Sequence, residues 1–225
     1  MSIAQSHPAG WFVNPTPGAT TQPLIVGIGG TTRPQSSSQR ALERCLSFTR
    51  ESGAETVLLS GPQLPTGIYD PSRVERSAEA LDLVRLLRRA DGVILASPAY
   101  HGSISGHLKN ALDFTEDMRG DARSYLDGRA VGLICTAMGW QAGGTTLAAM
   151  RAITHALRGW PTPLGVMINT AVTSFDSNGC CLDAATDDQL RMMAKQVVEF
   201  AEMKMLAAAT QSGMPAPLRV AAEVP

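Results

Sequence analysis

Five short stretches of this chain carry apolar side chains at successive positions where a half-buried strand would alternate. They are Leu24–Ile28, Glu55–Leu59, Gly92–Ala96, Arg129–Cys135 and Leu164–Ile168. Strands of this kind are buried on both faces, as parallel strands covered by helices are. Segments of helical period separate them. Ala41, Leu42, Cys45, Leu46 and Thr49 recur at helical spacing, and Val74, Ala78, Leu81, Val84 and Leu87 are expected along one helix face. Further helices are expected over 106–118, over 145–158 with Leu147, Met150, Thr154 and Leu157, and over 184–208. Five such strands alternating with helices predict a doubly wound α/β sandwich with helices on both faces of a parallel sheet.

The 225 residues suit one domain, expected over 23–209. Apolar residues make up 44% and aromatic ones 5%, so the core must be aliphatic. Residues 1–22 are rich in Pro, Gly, Ser and Thr and read as a flexible arm. They have neither the basic start nor the apolar middle of a signal peptide. Residues 210–225 are Pro/Ala-rich and read as a tail, and Asn178-Gly179 between Phe175 and Leu182 signals a turn. No apolar run approaches the ~20 residues of a spanning helix, so no membrane association is expected. A net charge of −1 argues against a nucleic-acid surface and against a polybasic membrane anchor. The four cysteines include no CxxC, which points to a reducing, cytoplasmic setting.

In an open parallel sheet, ligands bind beyond the carboxyl ends of the strands, where strand order reverses. The loop after the first strand, Gly29 to Gln39, holds five hydroxyls (Thr31, Thr32, Ser36, Ser37, Ser38), two amides and Arg33. It lacks the third glycine of a dinucleotide fingerprint and the Gly-Lys-Ser/Thr end of a P-loop. Hydroxyls and backbone N–H groups at a helix N-terminus suit a terminal monophosphate. A polar loop with Ser36 or Ser38 as helix cap accounts for the same residues, and both readings stand. After the third strand, Pro98-Ala99-Tyr100-His101-Gly102-Ser103 lets backbone approach a flat ligand; Ile104 breaks an esterase GxSxG pattern. The loop after the fourth strand, Thr136–Gly144, is again glycine-rich.

Elsewhere the residues point to no chemistry. His7, His101, His107 and His155 are scattered without metal-ligand spacing. Cys180-Cys181 reads as a plain pair near a turn or as a redox-active vicinal pair. The carboxylates Glu75/Glu79 and Asp187/Asp188 read as solvated helix faces.

Two segments, taken together, resemble the NADPH-dependent FMN reductases. Gly30-Thr31-Thr32-Arg33-Pro34-Gln35-Ser36-Ser37-Ser38 matches their G-[ST]-x-R-x-x-S-x-[NST] motif. Pro98 through Asp113 matches P-x-Y-[NH]-G-x-x-x-G-x-L-K-N-A-[IL]-D without a gap, and the resemblance covers about 23–200. It implies a flavodoxin-like, five-stranded parallel sheet of order 2-1-3-4-5. It implies FMN held at its phosphate by Arg33, Ser36 and Ser38 with Thr31 as an extra donor. Pro98, Ala99, Tyr100, His101, Gly102 and Ser103 would line the isoalloxazine, with Gly139 and its neighbours in the third loop closing its other edge. Tyr100 and Trp140 read equally as stacking or as packed loop aromatics. Leu108–Phe114 is expected to position the flavin loop. The implied activity is hydride transfer from NADPH, with NADH possible, to FMN and on to a flavin, quinone or similar acceptor. A flavodoxin-like electron carrier is the alternative, disfavoured by Arg33 and the near-neutral charge. No catalytic acid or base is demanded, because hydride transfer needs stacking and distance. A homodimer or homotetramer is expected, as is a small-molecule acceptor, and a flavin-dependent monooxygenase could receive reduced FMN.

Overall fold

The apolar runs become strands β1 (Leu24–Gly29), β2 (Glu55–Ser60), β3 (Gly92–Pro98) and β4 (Ala130–Ala137) of the computed structural model, which describes residues 22–211. The proposed arm up to residue 21 and the tail beyond 211 lie outside the described residues. Every residue of β1 and β4 is buried, as their uninterrupted apolar character requires. The strands run parallel in the order β2-β1-β3-β4, with Val26 opposite both Val57 and Val93. This is the flavodoxin-like order, with the sheet reversing direction between β1 and β3.

The fifth strand departs from expectation. Instead of one strand over Leu164–Ile168 there are two short ones along β4: β5 (Trp160–Pro161) opposite Ala130–Val131, and β6 (Val166–Asn169) opposite Ile134–Ala137. Pro161 and Pro163 have no N–H for a ladder, which breaks this edge. Between the two strands, Thr162 N donates to Val131 O at 3.0 Å and Leu164 N to Gln196 Oε1 at 3.1 Å.

Helix α1 (Ser37–Glu51) begins after Ser36, whose Oγ accepts from Gln39 N at 3.2 Å. Helix α2 (Ala78–Arg89) begins after Ser77, whose Oγ accepts from Ala80 N. That cap corrects the expected apolar face. Val74 precedes the helix and is 89% exposed, Leu81 is 59% exposed, and the buried stripe is Ala80, Leu83, Val84 and Leu87. Helix α3 (Gly106–Asp113) continues as a 3₁₀ turn to Met118, within the expected limits. Helix α4 (Trp140–Ala156) starts earlier than expected, and α5 (Ala184–Gln211) ends later. The Asn178-Gly179 turn closes a small hairpin, with Phe175 bridged to Cys181 and Gly179 at φ +81°.

Neighbouring strand residues feed opposite cores. Val26, Val93, Leu95 and Leu133 pack with Leu83, Leu87 and Leu112 on one face. Ile25, Ile94 and Ile134 pack with Leu42, Leu46 and Val197 on the other. At the amino end of β4 the Arg129 guanidinium is fully buried and donates to the carbonyls of Ala90, Tyr125, Asp127 and Arg88. Burial pulls its pKa down to about 10.

Candidate active site

β1, β3 and β4 end side by side, so their following loops converge. In the first loop Thr31 turns inward and its Oγ1 accepts from Arg33 N at 3.1 Å. Arg33 is exposed, and its guanidinium makes no hydrogen bond or ion pair among the described residues. Ser36 is half-buried; Ser38 is buried beneath it, with the two hydroxyl oxygens 3.2 Å apart. Ser36 therefore does cap α1. The cap occupies only one amide, and the first-turn N–H groups at Ser37 and Ser38 have no intrahelical acceptor. The cap and an anion cradle are compatible here. Gln35 sits at φ +52° and is held by Arg40, which donates from Nε to Gln35 O and from Nη2 to Gln35 Oε1, both at 3.2 Å. The same guanidinium donates from Nη1 to Phe175 O and Asp176 O at 3.2 and 3.1 Å. One side chain thus pins the loop after β1 to the hairpin that precedes α5.

The second loop is a tight turn. Ser103 N donates to Tyr100 O at 3.1 Å, and the two residues between them, His101 and Gly102, both have positive φ, +53° and +78°. Two successive positive φ angles are the pattern of a type I′ turn, which favours Asn-Gly and relatives. The [NH]-G of the motif is therefore turn chemistry. The Ala99 N–H is spent on Thr136 O at 2.8 Å, so neither it nor Pro98 can donate to a ligand. Tyr100 projects outward at 56% exposure.

Ser105 ties this loop to the first. Its N–H donates to Ser97 Oγ at 2.9 Å, its Oγ donates to Gly30 O, and the same oxygen accepts from Leu108 N at 3.1 Å. Farther along, Asn110 accepts from Tyr69 N at 2.9 Å and donates to Pro65 O and Gly67 O. The expected positioning role of 108–114 thus extends to the segment after β2. Tyr69 meets the Phe114 ring edge-on at 5.2 Å, and Arg76 lies over Tyr69 while paired bidentately with Asp117.

The third loop is much shorter than the expected Thr136–Gly144. Only Met138 and Gly139 separate β4 from α4, and Gly143-Gly144 lie inside the helix. A Cβ on Gly143 would come within 2.3 Å of Met167 Sδ, so this glycine lets α4 approach β6. The first turn of α4 consequently faces the His101-Gly102 turn across a cleft of about 610 Å³, lined by His101, Gly102, Gly139, Gln141, Ala142 and Thr145. Gln141 and Ala142 belong to the stretch after β4 whose residues near Gly139 were expected at the ring's edge; sequence reasoning missed Thr145. The signal was Gly139, an acceptable N-cap directly after a buried strand.

These features fit FMN. The α1 amides, Ser36 and Arg33 can take a phosphate, and the cleft at the His101-Gly102 turn has the size of a cofactor site. The amino end of α4 (17 residues) carries the positive end of its dipole to that cleft, where it favours negative charge on a reduced ring. Thr31 and Ser38, being buried, support the loop from within. Ser103 is exposed with its N–H in the turn.

A second cleft, of about 600 Å³, reaches α4 at Trp140. Its lining includes Trp140, Met167, Val172, Leu182, Asp183 and Thr186. Asp183 precedes α5 and caps it, accepting from Thr186 N at 3.1 Å and from Thr186 Oγ1. These bonds hold its carboxyl below the usual range, the hydroxyl contributing most. One turn on, Asp187 is no solvated face: it pairs with Arg44 through two 2.7 Å bonds. Among the described residues, no helix is long and apolar enough to cross a membrane.

The sequence model of a family described as NADPH-dependent FMN reductase matches residues 23–173. An FMN-dependent NADPH-azoreductase of Staphylococcus haemolyticus is 33% identical over 138 residues, which span 58% of this chain and 66% of that protein. An iron-sulfur flavoprotein of Archaeoglobus fulgidus is 26% identical over 194 residues, 80% of this chain and 96% of that one. Among solved structures, FerB of Paracoccus denitrificans, a flavoenzyme NAD(P)H:(acceptor) oxidoreductase, superposes with a TM-score of 0.67 at 20% identity. It covers 81% of this chain and 98% of its own.

Proposed function

The chain belongs to the NADPH-dependent FMN reductase family, and on that premise we propose that it is an oxidoreductase that binds FMN and uses it to pass electrons from NADPH to a small-molecule acceptor. One observation supports the reading: Ser105 ties the hydroxyl-rich loop before α1, at Gly30 O, to the segment that carries the type I′ turn, and that turn and the amino end of α4 line the cleft. FMN, once bound, supplies a ring system that accepts a hydride and releases its electrons singly or in pairs. The protein's part is positional. Arg33 and Ser36 hold the phosphate, supported from beneath by Thr31 and Ser38. Pro98–Ser103 and Gly139 border the ring, and the first turn of α4 stabilises negative charge on it. Residues 23–209 form the flavin-binding unit in this reading, with the arm and tail outside it. Four free thiols accord with a reducing cytoplasm. A homodimer or homotetramer is the proposed assembly, and a flavin-dependent monooxygenase is one candidate recipient of reduced FMN.

The test is a fluorescence titration with FMN, FAD and riboflavin. FMN should bind best and riboflavin far more weakly; equal affinity for FMN and riboflavin removes the phosphate cradle. Arg33→Ala should weaken FMN binding about ten- to a hundredfold, the value of a charge-assisted pair to phosphate.

A further inference from the structure

We propose that Arg40 is a positioning residue for the FMN phosphate: it acts through the backbone of Gln35, and the hairpin before α5 is its anchor. The inference rests on the placement of the phosphate at the start of α1, and it adds a residue outside the group assigned to that phosphate. Gln35 stands between Arg33 and Ser36, the two side chains assigned to the phosphate, so its backbone angles set how those two stand to each other. It sits at φ +52°. That region favours glycine, and a residue with a side chain stays there only where its surroundings hold it. Arg40 supplies the hold. Its Nε donates to Gln35 O and its Nη2 to Gln35 Oε1, both at 3.2 Å, and Gln35 has no other hydrogen-bond partner among the described residues.

The guanidinium is itself fixed from the far side. Its Nη1 donates to Phe175 O at 3.2 Å and to Asp176 O at 3.1 Å, partners 135 and 136 positions along the chain. The hairpin that presents those carbonyls is closed by bonds of its own. Asp176 N donates to Cys180 O and Leu182 N to Ser174 O, both at 2.9 Å, and Cys180 N donates to the Asp176 carboxylate at 2.8 Å. Three guanidinium nitrogens therefore serve two segments at once, a span that the single nitrogen of a lysine cannot match. The hairpin takes part in the phosphate site through this fork although it contributes no ligand. All four acceptors are neutral, and Arg40 forms no ion pair among the described residues. Its charge is thus left for an anion held by the loop, and a lysine at this position would keep that charge while losing the fork.

The experiment is a titration of the full chain with FMN and with riboflavin, followed by flavin fluorescence. Arg40→Lys should weaken FMN binding about three- to tenfold, the scale of one or two net hydrogen bonds. Riboflavin has no phosphate, so its Kd should stay within about twofold, which also shows that the variant is folded. The path through Gln35 is tested by a double-mutant cycle. Glycine adopts a positive φ without help, so in the Gln35→Gly background the same Arg40→Lys change should cost less than about twofold in FMN affinity. An unchanged FMN affinity in Arg40→Lys overturns the role, as does an equal loss for FMN and riboflavin. A loss of the same size in both backgrounds overturns the path through Gln35 and with it the proposal. If the unmodified protein binds FMN and riboflavin equally, the phosphate placement fails and takes this role with it. A preference for FMN that survives Arg40→Lys leaves the placement standing and overturns Arg40 alone.

Discussion

Ser105 joins three parts of the site: its N–H donates to Ser97 near the end of β3, while its buried hydroxyl holds the loop after β1 and the start of α3. Ser105→Ala would leave the Gly30 carbonyl and the Leu108 N–H without this partner in a water-poor place, at a cost of about 1–3 kcal/mol. Thermal denaturation should show a lowered midpoint, and Ser105→Thr, which keeps the hydroxyl, should recover part of it. The thiols divide in a similar way by environment. Burial pushes Cys135 up to about 11 and Cys45 higher still, whereas Cys180 and Cys181 are half-exposed. A thiol reacts as its thiolate, so at pH 8 the buried pair stays protonated and inert. Partial burial raises Cys181 as well, so Ellman's reagent should reach Cys180 and, more slowly, Cys181 in the native protein and all four thiols in denaturant. Raising the pH toward 11 should not recruit Cys45 while the fold persists.

Among the elements, β1, β3 and β4 were the most legible in sequence, because a strand buried on both faces has no polar positions to confuse the reading. Helix limits were read less well, and the reasons are local. Ser77 sets the start of α2, so Val74 never joins its stripe. The glycines at 143 and 144 look like loop, yet Gly143 is inside α4 because Met167 presses on it from β6. A contact between residues that far apart leaves no mark on local composition. Gly143→Ala tests this: the added methyl must displace Met167 or lift α4, at about 1–3 kcal/mol of overpacking. The loss should appear in denaturant melts, with weaker flavin binding because α4 forms one wall of the cleft. Of the candidate site, the hydroxyl-rich loop after β1 and the His-Gly turn were visible as motifs. Arg40 was not, since its partners Phe175 and Asp176 are distant in sequence and are recognised through their carbonyls.

At the scale of the molecule, several large apolar side chains remain on the outside, among them Trp160, Met192, Met203 and Leu206. Adaptable methionines on a helix face suit association. Light scattering at micromolar concentration should give a mass of two or four chains; a monomer of 23.8 kDa with full reductase activity would count against the proposed assembly. The broken margin of the sheet limits how such copies can meet. An intact margin invites another chain to continue the ladder, the usual route to fibres and swapped strands. Here Pro161 and Pro163 deny two donors, and Thr162 turns its own inward to Val131. Growth by ladder extension is thus blocked along the β5 half of that margin, where neighbours must meet side chain to side chain, in contacts that can come apart without unravelling either sheet.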